Sequence, residues 1–342
     1  MRLDIEHLRT ALSAYPRIAL LESATPIQKL SRLSALPTMR GCNLYVKRDD
    51  LTGLGGGGNK LRKLEFLLGE AIAAGADTLV TWGGLQSNHA RLTAAVAARH
   101  GLACELILTQ SPIRDDEDYR LNGNVLLDTL FGAGVHQLPV GEAAEPYALE
   151  LVEQLQRQGR RTFVMPLGGS SARGSLGYAA CAAEILGQAD TFGLQFERII
   201  IPNGSSGTHS GLLAGLTIAG SSTQVQGYSV LGPVGPTLDV TREKTQAVLK
   251  LLGSTAVLPT EALQIDDSQR GSAYGAPTDS MLAATRILAS QEGLLIDPVY
   301  GGKAFAGLLE SVTRGDHSAG SNLLFIMTGG LPGIFAYRTA YS

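Results

Sequence analysis

The chain has 342 residues, enough for two domains and a large hydrophobic core. Apolar residues make up 44% of it and charged residues 17%, which is the profile of a folded globular protein rather than a disordered one. The formal net charge of −3 argues against nucleic acid as the main partner, because phosphate backbones attract a basic surface.

Cysteine, histidine and apolar patterns narrow the class further. The three cysteines, Cys42, Cys104 and Cys181, are scattered and form neither a disulfide framework nor a zinc motif. The six histidines never stand three or four residues apart, so no metal site is predicted. No window of about 18 apolar residues is free of charge, and the start of the chain lacks the apolar core of a signal peptide. We therefore expect a cytoplasmic protein without a membrane partner.

In chain order, strand and helix patterns alternate. A short strand is predicted at residues 43–47, a helix runs from Lys60 to about Gly75, and a buried strand follows at residues 78–82. The remaining strands are predicted at residues 104–108, 135–138, 162–164, 197–201 and 323–327, and the remaining helices at residues 86–100, 124–131, 147–158 and 208–219. Such alternation predicts parallel sheets flanked by helices. Because one sheet would need about ten strands, we expect two lobes.

The most informative stretch is the run of glycines from Gly55 to Gly58, which ends just before Lys60. Glycine loses the most backbone entropy on ordering, so this run predicts a loop whose bare backbone a ligand can approach closely. A lysine at the following helix start is unexpected, because the positive end of the helix dipole disfavours cations. A solvated surface lysine is one interpretation. The other is a nucleophilic amine, kept near its neutral form by a low dielectric and by the cationic neighbours Arg62 and Lys63.

A second loop, residues 202–209, joins a predicted strand to a predicted helix. Its small residues leave backbone N–H groups pointing outward at the positive end of a helix dipole, which forms an anion site. A tight turn with Ser206 or Thr208 as the helix N-cap is an equally good interpretation. The glycine motifs of dinucleotide-binding and P-loop proteins are both absent. A phosphate site without nucleotide signatures, in a chain with a candidate amine nucleophile, indicates pyridoxal 5'-phosphate.

Polar side chains at other helix and strand ends are further candidate ligands. Ser87 is an ordinary N-cap, yet with Asn88 it also stands at a dipole end able to bind a carboxylate. Tyr274 and Tyr300 each precede a predicted helix, where an aromatic residue either packs or directs its phenol into a cleft. Thr328 places a hydroxyl at the carboxyl end of a parallel strand, where open sheets bind ligands.

Five segments occur in one order along the chain: residues 57–66 (GGNKLRKLEF), 86–89 (QSNH), 204–208 (GSSGT), 297–300 (DPVY) and 328–330 (TGG). Together they resemble the D-cysteine desulfhydrase and 1-aminocyclopropane-1-carboxylate deaminase family, pyridoxal-phosphate enzymes of the tryptophan-synthase β type, over about residues 25–337. The resemblance implies an α/β fold of type II, with two lobes and twisted parallel sheets flanked by helices. It also implies a homodimer whose larger, cofactor-binding domain comprises residues 1–60 and 175–342, and whose smaller α/β domain comprises residues 61–174.

The same resemblance implies a role for each candidate. Lys60 forms the covalent bond to the cofactor aldehyde, Asn88 meets the phenolic oxygen of the cofactor, and Thr328 meets its pyridine nitrogen. Because a hydroxyl leaves that nitrogen largely unprotonated, the electron sink is weak and Lys60 must serve as the base. The residues implied to bind the phosphate are Lys63, Gly204, Ser205, Ser206, Gly207 and Thr208. Those implied to bind substrate are Ser87, Asn88 and His89. Those implied to act on it with Lys60 are Ser87, Tyr274 and Tyr300.

The substrate implied is a small amino acid, D-cysteine, converted by α,β-elimination to pyruvate, sulfide and ammonia. His89 matches the desulfhydrase branch, whereas deaminases usually have Gln at that position. Gly301 lacks both the glutamate of the deaminases and the threonine of many desulfhydrases, and Leu92 and residues 229–239 also depart from relatives. Deamination of the cyclopropane acid and sulfite release from L-cysteate therefore stay open. So does a protein that binds the cofactor without turnover; a phosphate-binding oxidoreductase is disfavoured by the missing fingerprint.

Overall fold

A computed structural model describes residues 4–342, and within that range the chain forms two β-sheets flanked by helices. The strands are β1 (Ile27–Lys29), β2 (Asn43–Lys47), β3 (Thr78–Gly84), β4 (Ala103–Thr109), β5 (Gly134–Gln137), β6 (Thr162–Met165), β7 (Arg198–Asn203), β8 (Gln224–Ser229), β9 (Gln264–Asp266) and β10 (Asn322–Ile326).

The helices of the same range cover the faces of the two sheets. They are α1 (Ile5–Ser13), α2 (Ser31–Ser34), α3 (Lys60–Ala73), α4 (Asn88–His100), α5 (Glu117–Leu121), α6 (Asn124–Leu130), α7 (Ala144–Arg157), α8 (Ala172–Phe192), α9 (Gly207–Ile218), α10 (Val234–Leu251), α11 (Asp279–Glu292), α12 (Gly301–Arg314), α13 (Pro332–Ala336) and α14 (Arg338–Tyr341). Short 3-10 turns lie at Pro37–Met39, Asp49–Leu51, Leu54–Gly56, Leu167–Gly169 and Thr260–Ala262.

The larger sheet has six strands in the order β1-β2-β10-β7-β8-β9. Its pairs are parallel except at one edge, where β1 runs antiparallel to β2. Strand β7 is apolar towards both faces, with Ile199, Ile200 and Ile201 all buried, because helices cover both sides of a parallel sheet. The carboxyl ends of β7 and β10 lead into the loop at residues 203–208 and into Thr328.

The smaller sheet has four parallel strands in the order β5-β4-β3-β6. Its central strand β3 pairs with β4 over its whole length, from Thr78 opposite Ala103 to Gly84 opposite Thr109. Helix α4 follows directly, so the turn between β3 and α4 lies at the carboxyl edge of this sheet. All of these strands lie within residues 61–174, the predicted smaller domain, although the two domain boundaries themselves remain a prediction.

Close helix packing fixes the start of α3 relative to the β7–α9 loop. A Cβ atom on Gly177 of α8 would lie 2.1 Å from the carbonyl oxygen of Arg62 in α3, so only glycine allows this approach. A Cβ atom on Gly211 of α9 would lie 2.2 Å from the carbonyl oxygen of Ser175 in α8. Helices α3 and α9 therefore pack against one common helix, which sets the distance between Lys60 and the loop that precedes α9.

The predicted α/β class with parallel sheets in two lobes is confirmed, but some elements are not among the predicted ones. Among them are β1, β8, β9, α8 and α10, together with the short helices α2, α5, α13 and α14. Strand β8 contains two glutamines and a glycine, residues that give a strand pattern little strength. It forms because parallel pairing with β7, from Gln224 opposite Arg198 to Ser229 opposite Asn203, satisfies its backbone along its whole length.

Three further findings concern the described residues as a whole. None of the helices between residues 4 and 342 is both long and apolar enough to cross a membrane. In the same range no group of three or more His, Cys, Asp or Glu side chains is placed to hold a metal ion. Cys42, Cys104 and Cys181 are buried free thiols.

Candidate active site

One pocket receives residues from the strand ends of both sheets, and all of the predicted site residues line it. They are Lys60, Lys63, Ser87, Asn88, His89, Gly204, Ser205, Ser206, Gly207, Thr208, Tyr274, Tyr300 and Thr328. These residues come from the start of α3, the turn between β3 and α4, the loop between β7 and α9, the segments before α11 and α12, and the end of β10. The fold thus gathers segments that are separated by up to 268 residues in sequence, from Lys60 to Thr328.

Lys60 begins α3 and is half-buried in the pocket. Its Nζ donates a hydrogen bond to Asn59 Oδ1 at 3.0 Å and lies 5.9 Å from the centre of the Tyr300 ring. Burial lowers the pKa of Lys60 to about 8; Asp297 opposes this shift and Arg91 adds to it. Near neutral pH a much larger share of this amine is neutral than of an ordinary lysine, whose pKa is about 10.4. This environment supports the interpretation as a nucleophilic amine.

Arg62, predicted as a cationic neighbour that favours the neutral amine, has a different role. Its buried guanidinium donates to Asp49 at 2.8 and 2.9 Å and to Glu184 at 2.9 and 3.0 Å. Burial disfavours these charges, but the ion pairs prevail: they raise the pKa of Arg62 and lower the pKa values of Asp49 and Glu184. Two carboxylates thus neutralise Arg62. The arginine that lowers the pKa of Lys60 is Arg91 of α4.

Lys63 lies one helical turn after Lys60 and reaches the loop between β7 and α9. Its buried Nζ donates to Ser170 Oγ at 2.8 Å and to the carbonyl oxygen of Gly168 at 3.2 Å, and a Cβ atom on Gly207 would lie 2.8 Å from it. Burial, together with the charges of Lys60 and Lys244, lowers the pKa of Lys63 well below its ordinary value. A bound anion would restore the ammonium charge, so this position fits a phosphate.

The loop between β7 and α9 offers backbone donors. Ser206 occupies the N-cap position of α9 with a left-handed φ of 66°, unusual for a residue with a side chain, and no side chain caps the helix. The hydroxyl of Ser206 instead accepts from Thr241 Oγ1 at 2.9 Å. The first N–H groups of α9 therefore remain free for an anion. Ser206 is the N-cap residue as predicted, but it does not cap.

A second lysine reaches the same loop from a helix that the sequence does not connect with it. Lys244 of α10 donates from Nζ to the carbonyl oxygen of Ser205 at 3.0 Å. On the same side of α10, Thr241 binds Ser206, so the helix contacts two successive residues of the loop. Sequence reasoning missed both contacts, because nothing in the local pattern of α10 distinguishes Lys244 from an ordinary helical lysine.

The turn before α4 presents Ser87 and Asn88 to the pocket. Ser87 is the N-cap of α4, and its Oγ accepts from the backbone N–H of Ala90 at 3.1 Å. The amide oxygen of Asn88 accepts from Asn124 Nδ2 at 3.0 Å, which directs the Asn88 amide nitrogen away from this contact. That nitrogen lies beside the position of Gly330, where an added Cβ atom would come within 3.0 Å of it. A donor in this orientation suits an anionic oxygen.

His89 is buried at the pocket wall, with 2% of its surface exposed, and neither ring nitrogen has a hydrogen-bond partner among residues 4–342. Burial, with the charges of Lys60 and Lys63, lowers the pKa of His89 well below 6.5, so the ring is neutral. Buried polar groups in proteins are nearly always paired, and an unpaired one needs an explanation. A ligand in the pocket would provide the missing partner for His89.

Tyr274 and Tyr300 form a pair of phenols next to Lys60. Their hydroxyl oxygens are 2.5 Å apart and their rings meet edge to face. Burial raises the pKa values of both phenols above their ordinary range, so both are neutral. Each therefore keeps its proton and can donate it only to a strong base. The sequence leaves open whether these aromatic residues pack or direct their phenols into a cleft. Both hold here, because the rings pack against each other and also line the pocket.

Thr328 lines the pocket, and Asp297 lies behind its wall and holds the turn that carries Tyr300. Thr328 follows β10, and within the described residues its hydroxyl makes no hydrogen bond. Asp297 is buried and accepts from the backbone N–H groups of Val299 at 2.9 Å and of Tyr300 and Gly301 at 2.7 Å. These bonds shape the turn that carries Tyr300. The sequence motif contains Asp297 but does not reveal this role, although an aspartate whose side chain bonds the backbone two residues on, here Val299, is a known turn pattern.

The three departures from relatives lie at different places. Leu92 is fully buried and packs under the glycine turn, where a Cβ atom on Gly55 would lie 3.2 Å from it. Gly301 is buried against Asp297 and does not line the pocket. Within residues 229–239, Leu231 does line it. Of these positions, only Leu231 brings a side chain to the space that a substrate would occupy, and Gly301 has none to bring.

A buried ammonium beside unoccupied helix donors, an amine with a pKa of about 8 and an oriented amide together fit a phosphorylated aldehyde cofactor. These features define a pyridoxal-phosphate enzyme. Residues 18–329 match the family described as pyridoxal-phosphate dependent enzyme, and the chain belongs to that family.

Individual relatives narrow the comparison. A protein named D-cysteine desulfhydrase from Serratia proteamaculans (strain 568) is 43% identical over 332 residues, which cover 97% of this chain and 99% of that protein. A protein of the same name from Yersinia pestis is 42% identical over 332 residues, covering 97% and 98%. A solved structure described as an ACC deaminase homologue is 36% identical, with a TM-score of 0.89 and 98% of each chain covered.

A more distant structure shares the fold alone. It is an O-ureido-L-serine synthase, 18% identical, with a TM-score of 0.63 and with 95% of this chain and 92% of that chain covered. The comparisons confirm the predicted family, the type II fold class, the enzyme class and pyridoxal 5'-phosphate as the cofactor. The roles of the individual pocket residues remain predictions.

Proposed function

We propose that this enzyme removes the β-substituent of a small amino acid by α,β-elimination, with D-cysteine as the preferred substrate and pyruvate, sulfide and ammonia as products. The observation that carries the proposal is the Lys60 amine, with a pKa of about 8, facing the pair of neutral phenols in one pocket. Relatives named D-cysteine desulfhydrase, 40–43% identical over nearly the whole chain, support the choice of substrate.

Different pocket residues would bind different parts of the cofactor. Lys60 would bond to the aldehyde carbon, Asn88 would donate to the phenolic oxygen, and the Thr328 hydroxyl would meet the pyridine nitrogen. The phosphate would lie between Lys63 and the first backbone N–H groups of α9. When bound, pyridoxal phosphate supplies an electron sink for the carbon that loses its proton. The Thr328 hydroxyl is too weak an acid to protonate the pyridine nitrogen, so this electron sink would be weak. Other residues of the chain must therefore carry the proton transfers.

Lys60 is the proposed general base. Its amine takes the proton from Cα, the Cβ–S bond breaks, and the sulfur leaves as sulfide with one proton. The remaining three-carbon fragment takes up water to give pyruvate and ammonia. Tyr274 and Tyr300 are suited to hydrogen-bond to the departing sulfur, because burial keeps both phenols protonated. A positioned proton transfer such as that to Lys60 typically contributes about 10²–10⁴-fold.

Ser87, Asn88 and His89 are the proposed substrate contacts. The substrate carboxylate would bind at the N-terminus of α4, where Ser87 and the helix dipole favour a negative charge. His89 is neutral and its two ring nitrogens are unpaired within residues 4–342, so it can pair with a polar group of the substrate without a competing charge. Two other reactions in the same pocket would be deamination of 1-aminocyclopropane-1-carboxylate and release of sulfite from L-cysteate.

The deciding assay offers D-cysteine, L-cysteine, L-cysteate and the cyclopropane acid separately at equal concentration. We expect D-cysteine to give sulfide and pyruvate fastest, and the cyclopropane acid to react slowest, because Gly301 supplies no side chain for ring opening. Preferred formation of 2-oxobutyrate would replace the proposal with a deaminase. Sulfite from L-cysteate as the main product would replace it with a sulfo-lyase, and binding of the cofactor without any turnover would overturn it.

We further propose that the enzyme is a cytoplasmic homodimer. Three buried free thiols are consistent with a reducing compartment. Exposed apolar side chains on neighbouring helices α5, α6 and α13, among them Leu121, Leu130 and Phe335, are consistent with a subunit contact. Light scattering on the purified holoenzyme tests the second point, and a monomer at micromolar concentration would contradict it.

A further inference from the structure

The interior of the glycine turn before Lys60 is filled by an arginine. Arg91 of α4 is fully buried and donates from Nη1 to the carbonyl oxygen of Gly55 at 2.5 Å and from Nη2 to that of Gly57 at 3.0 Å. All four glycines from Gly55 to Gly58 have φ between 60° and 129°, so the turn bends around the guanidinium in a conformation that other residues rarely adopt.

A side chain at Gly56 would crowd the guanidinium directly, whereas one at Gly58 would be in ordinary contact with it. A Cβ atom on Gly56 would lie 3.1 Å from Arg91 Nη1, and one on Gly58 would lie 3.7 Å from Nη2. The same Gly58 position lies 3.2 Å from the carbonyl oxygen of Thr328, which also accepts the backbone N–H of Asn59. The arginine therefore holds the inner side of a turn whose other side rests on the end of β10.

The charge of Arg91 has no close carboxylate among residues 4–342. Both of its hydrogen-bond acceptors in this range are neutral carbonyls, and its Nε has no partner there. Asp128 is the acidic group that acts on it, but both carboxylate oxygens of Asp128 are buried without a partner in the described part of the chain, and burial raises the pKa of Asp128 to about 8. Near neutral pH Asp128 is largely protonated and does not cancel the arginine charge. A buried, unneutralised cation is costly and needs a reason to be there.

We propose that Arg91 is a positioning residue for Lys60: it fixes the glycine turn from inside and maintains a positive charge close to the Lys60 amine. This inference rests on the role of Lys60 given under Proposed function. The two carbonyl contacts determine where the first turn of α3 begins, and hence where the amine lies. The charge opposes protonation of that amine by repulsion.

The groups around Lys60 determine the direction of the effect. Asp297 favours the charged amine, whereas burial and Arg91 disfavour it. Lys63 and His89 also face the pocket, and the nearby phenol of Tyr300 is neutral. If the charge of Arg91 is removed, the attraction of Asp297 for the protonated Lys60 amine is no longer opposed by a positive charge on α4. The pKa of the Lys60 nitrogen should then rise, and a higher pH should be needed to keep it neutral.

The experiment compares three holoenzyme variants with the wild type. Arg91→Met removes both the charge and the two donors, Arg91→Lys keeps the charge but loses the planar fork, and Arg99→Met removes an exposed arginine from the same helix. Each is titrated by the absorption of bound pyridoxal phosphate, which reports protonation of the nitrogen bonded to the cofactor. The pH dependence of kcat with D-cysteine is measured in parallel, and circular dichroism verifies folding.

In Arg91→Met we expect the spectroscopic midpoint and the acid limb of kcat to move up by about one pH unit, as expected for a nearby charge. Arg91→Lys should keep the midpoint within about 0.3 unit but lose about tenfold in kcat, because one ammonium cannot hold two carbonyls in the same geometry. Arg99→Met should change neither. If Arg91→Met does not fold, Arg91→Gln takes its place, since its amide can still donate to the turn.

Two results would overturn the inference. An unmoved midpoint in folded Arg91→Met with cofactor bound would remove the electrostatic part, and wild-type kcat in Arg91→Lys would remove the positioning part. Failure of the proposed function would look different. If the wild type does not convert D-cysteine, the spectroscopic titration still reports the charge effect, because it requires only bound cofactor.

Discussion

Two buried arginines lie near Lys60, and only one of them is paired with carboxylates. Arg62 donates to Asp49 and Glu184 through four hydrogen bonds and is fully neutralised. Arg91 donates to two carbonyl oxygens and keeps its charge. Both are inaccessible to solvent, so burial alone does not distinguish them. The difference in partners does: a neutralised charge can only contribute to structure, whereas an unneutralised one acts on the groups around it.

The surroundings of Arg62 extend this contrast. Thr25 Oγ1 donates to Asp49 at 2.8 Å, Tyr178 donates to Asp49 at 2.5 Å, and Lys47 Nζ donates to Glu184 at 2.5 Å. We call Thr25, Lys47, Asp49, Arg62, Tyr178 and Glu184 the paired cluster. It joins the segment before β1, the end of β2, α3 and α8 behind the pocket. The glycine turn held by Arg91 lies instead directly before Asn59 and Lys60, which line the pocket. Substitutions on each side, and the pH dependence of stability, test whether the paired cluster is structural and Arg91 acts on Lys60.

The largest expected effect comes from substitution of Lys60, the residue near which both arginines lie. In Lys60→Ala we expect turnover to fall by about 10²–10⁴-fold, the usual contribution of a positioned base. Unfolding free energy should change by less than about 1 kcal/mol, because the paired cluster is intact. Borohydride reduction of the wild-type holoenzyme, followed by peptide mapping, should leave the cofactor on the Lys60 peptide. Lys303 is the internal control, since its pKa is also lowered to about 8 but it lies outside the pocket. Cofactor on the Lys303 or Lys63 peptide would contradict the role of Lys60.

Arg62→Met tests the structural side of the comparison. Removing one partner of a buried ion pair leaves Asp49 uncompensated, so we expect unfolding in urea to become easier by about 3–5 kcal/mol. The double variant Arg62→Met with Asp49→Asn should recover part of this loss, because the Asp49 carboxylate, the more deeply buried partner of Arg62, is removed as well. The absorption midpoint of the bound cofactor should match the wild type, unlike that of Arg91→Met. A midpoint shift in Arg62→Met would mean that the paired arginine also acts on Lys60.

The paired cluster also predicts how stability depends on pH. Burial opposes ionisation of Asp49 and Glu184, but Arg62 prevails and holds both pKa values below 3.8 and 4.5, their ordinary values. A carboxyl group with a lowered folded-state pKa contributes stability above its unfolded pKa and loses it as pH falls through the folded pKa. The wild type should therefore lose its advantage over Arg62→Met as pH falls below about 4. Urea midpoints of both proteins between pH 3 and 7 measure this difference, and a constant gap would contradict it.

The parts of the site that could be predicted are those with a local signal. The run of glycines before Lys60 and the small residues of the β7–α9 loop each mark a turn that regular structure excludes. The partners of the two arginines carry no such signal. Arg91 reaches Gly55 across 36 residues and Arg62 reaches Glu184 across 122, and both contacts depend on how helices pack rather than on any spacing in the chain. For this reason the sequence predicts Arg62, two residues away, as the cationic neighbour of Lys60 and gives no signal for Arg91.

Lys63 extends the comparison to the phosphate end of the pocket. Like Arg91, it is a buried basic side chain without a carboxylate partner among the described residues, and its pKa is lowered by burial and by two other lysines. Its removal should therefore affect ligand binding more than stability. In Lys63→Met we expect affinity for pyridoxal phosphate to fall by about 10–100-fold, the range of a charge-assisted hydrogen bond of about 1.5–3 kcal/mol. Spectroscopic titration of the apoenzyme measures it. Unchanged affinity with lowered stability would place Lys63 with the paired cluster.

Lys244 should give the smallest effect, because its Nζ contacts the carbonyl oxygen of Ser205 rather than pointing between the loop donors. It lowers the pKa of Lys63, so its charge is felt at the phosphate position even though the contact is indirect. In Lys244→Met we expect affinity for pyridoxal phosphate to fall by about 3–10-fold, and to do so less at high salt, since Lys244 is partly exposed and screened. Lys250→Met, an exposed lysine on the same helix, is the matched control and should leave the affinity unchanged. Equal losses of affinity in both variants would mean that only the net charge of the protein matters. A loss in Lys244→Met that salt does not diminish would show that the lysine acts by holding Ser205 rather than through its charge.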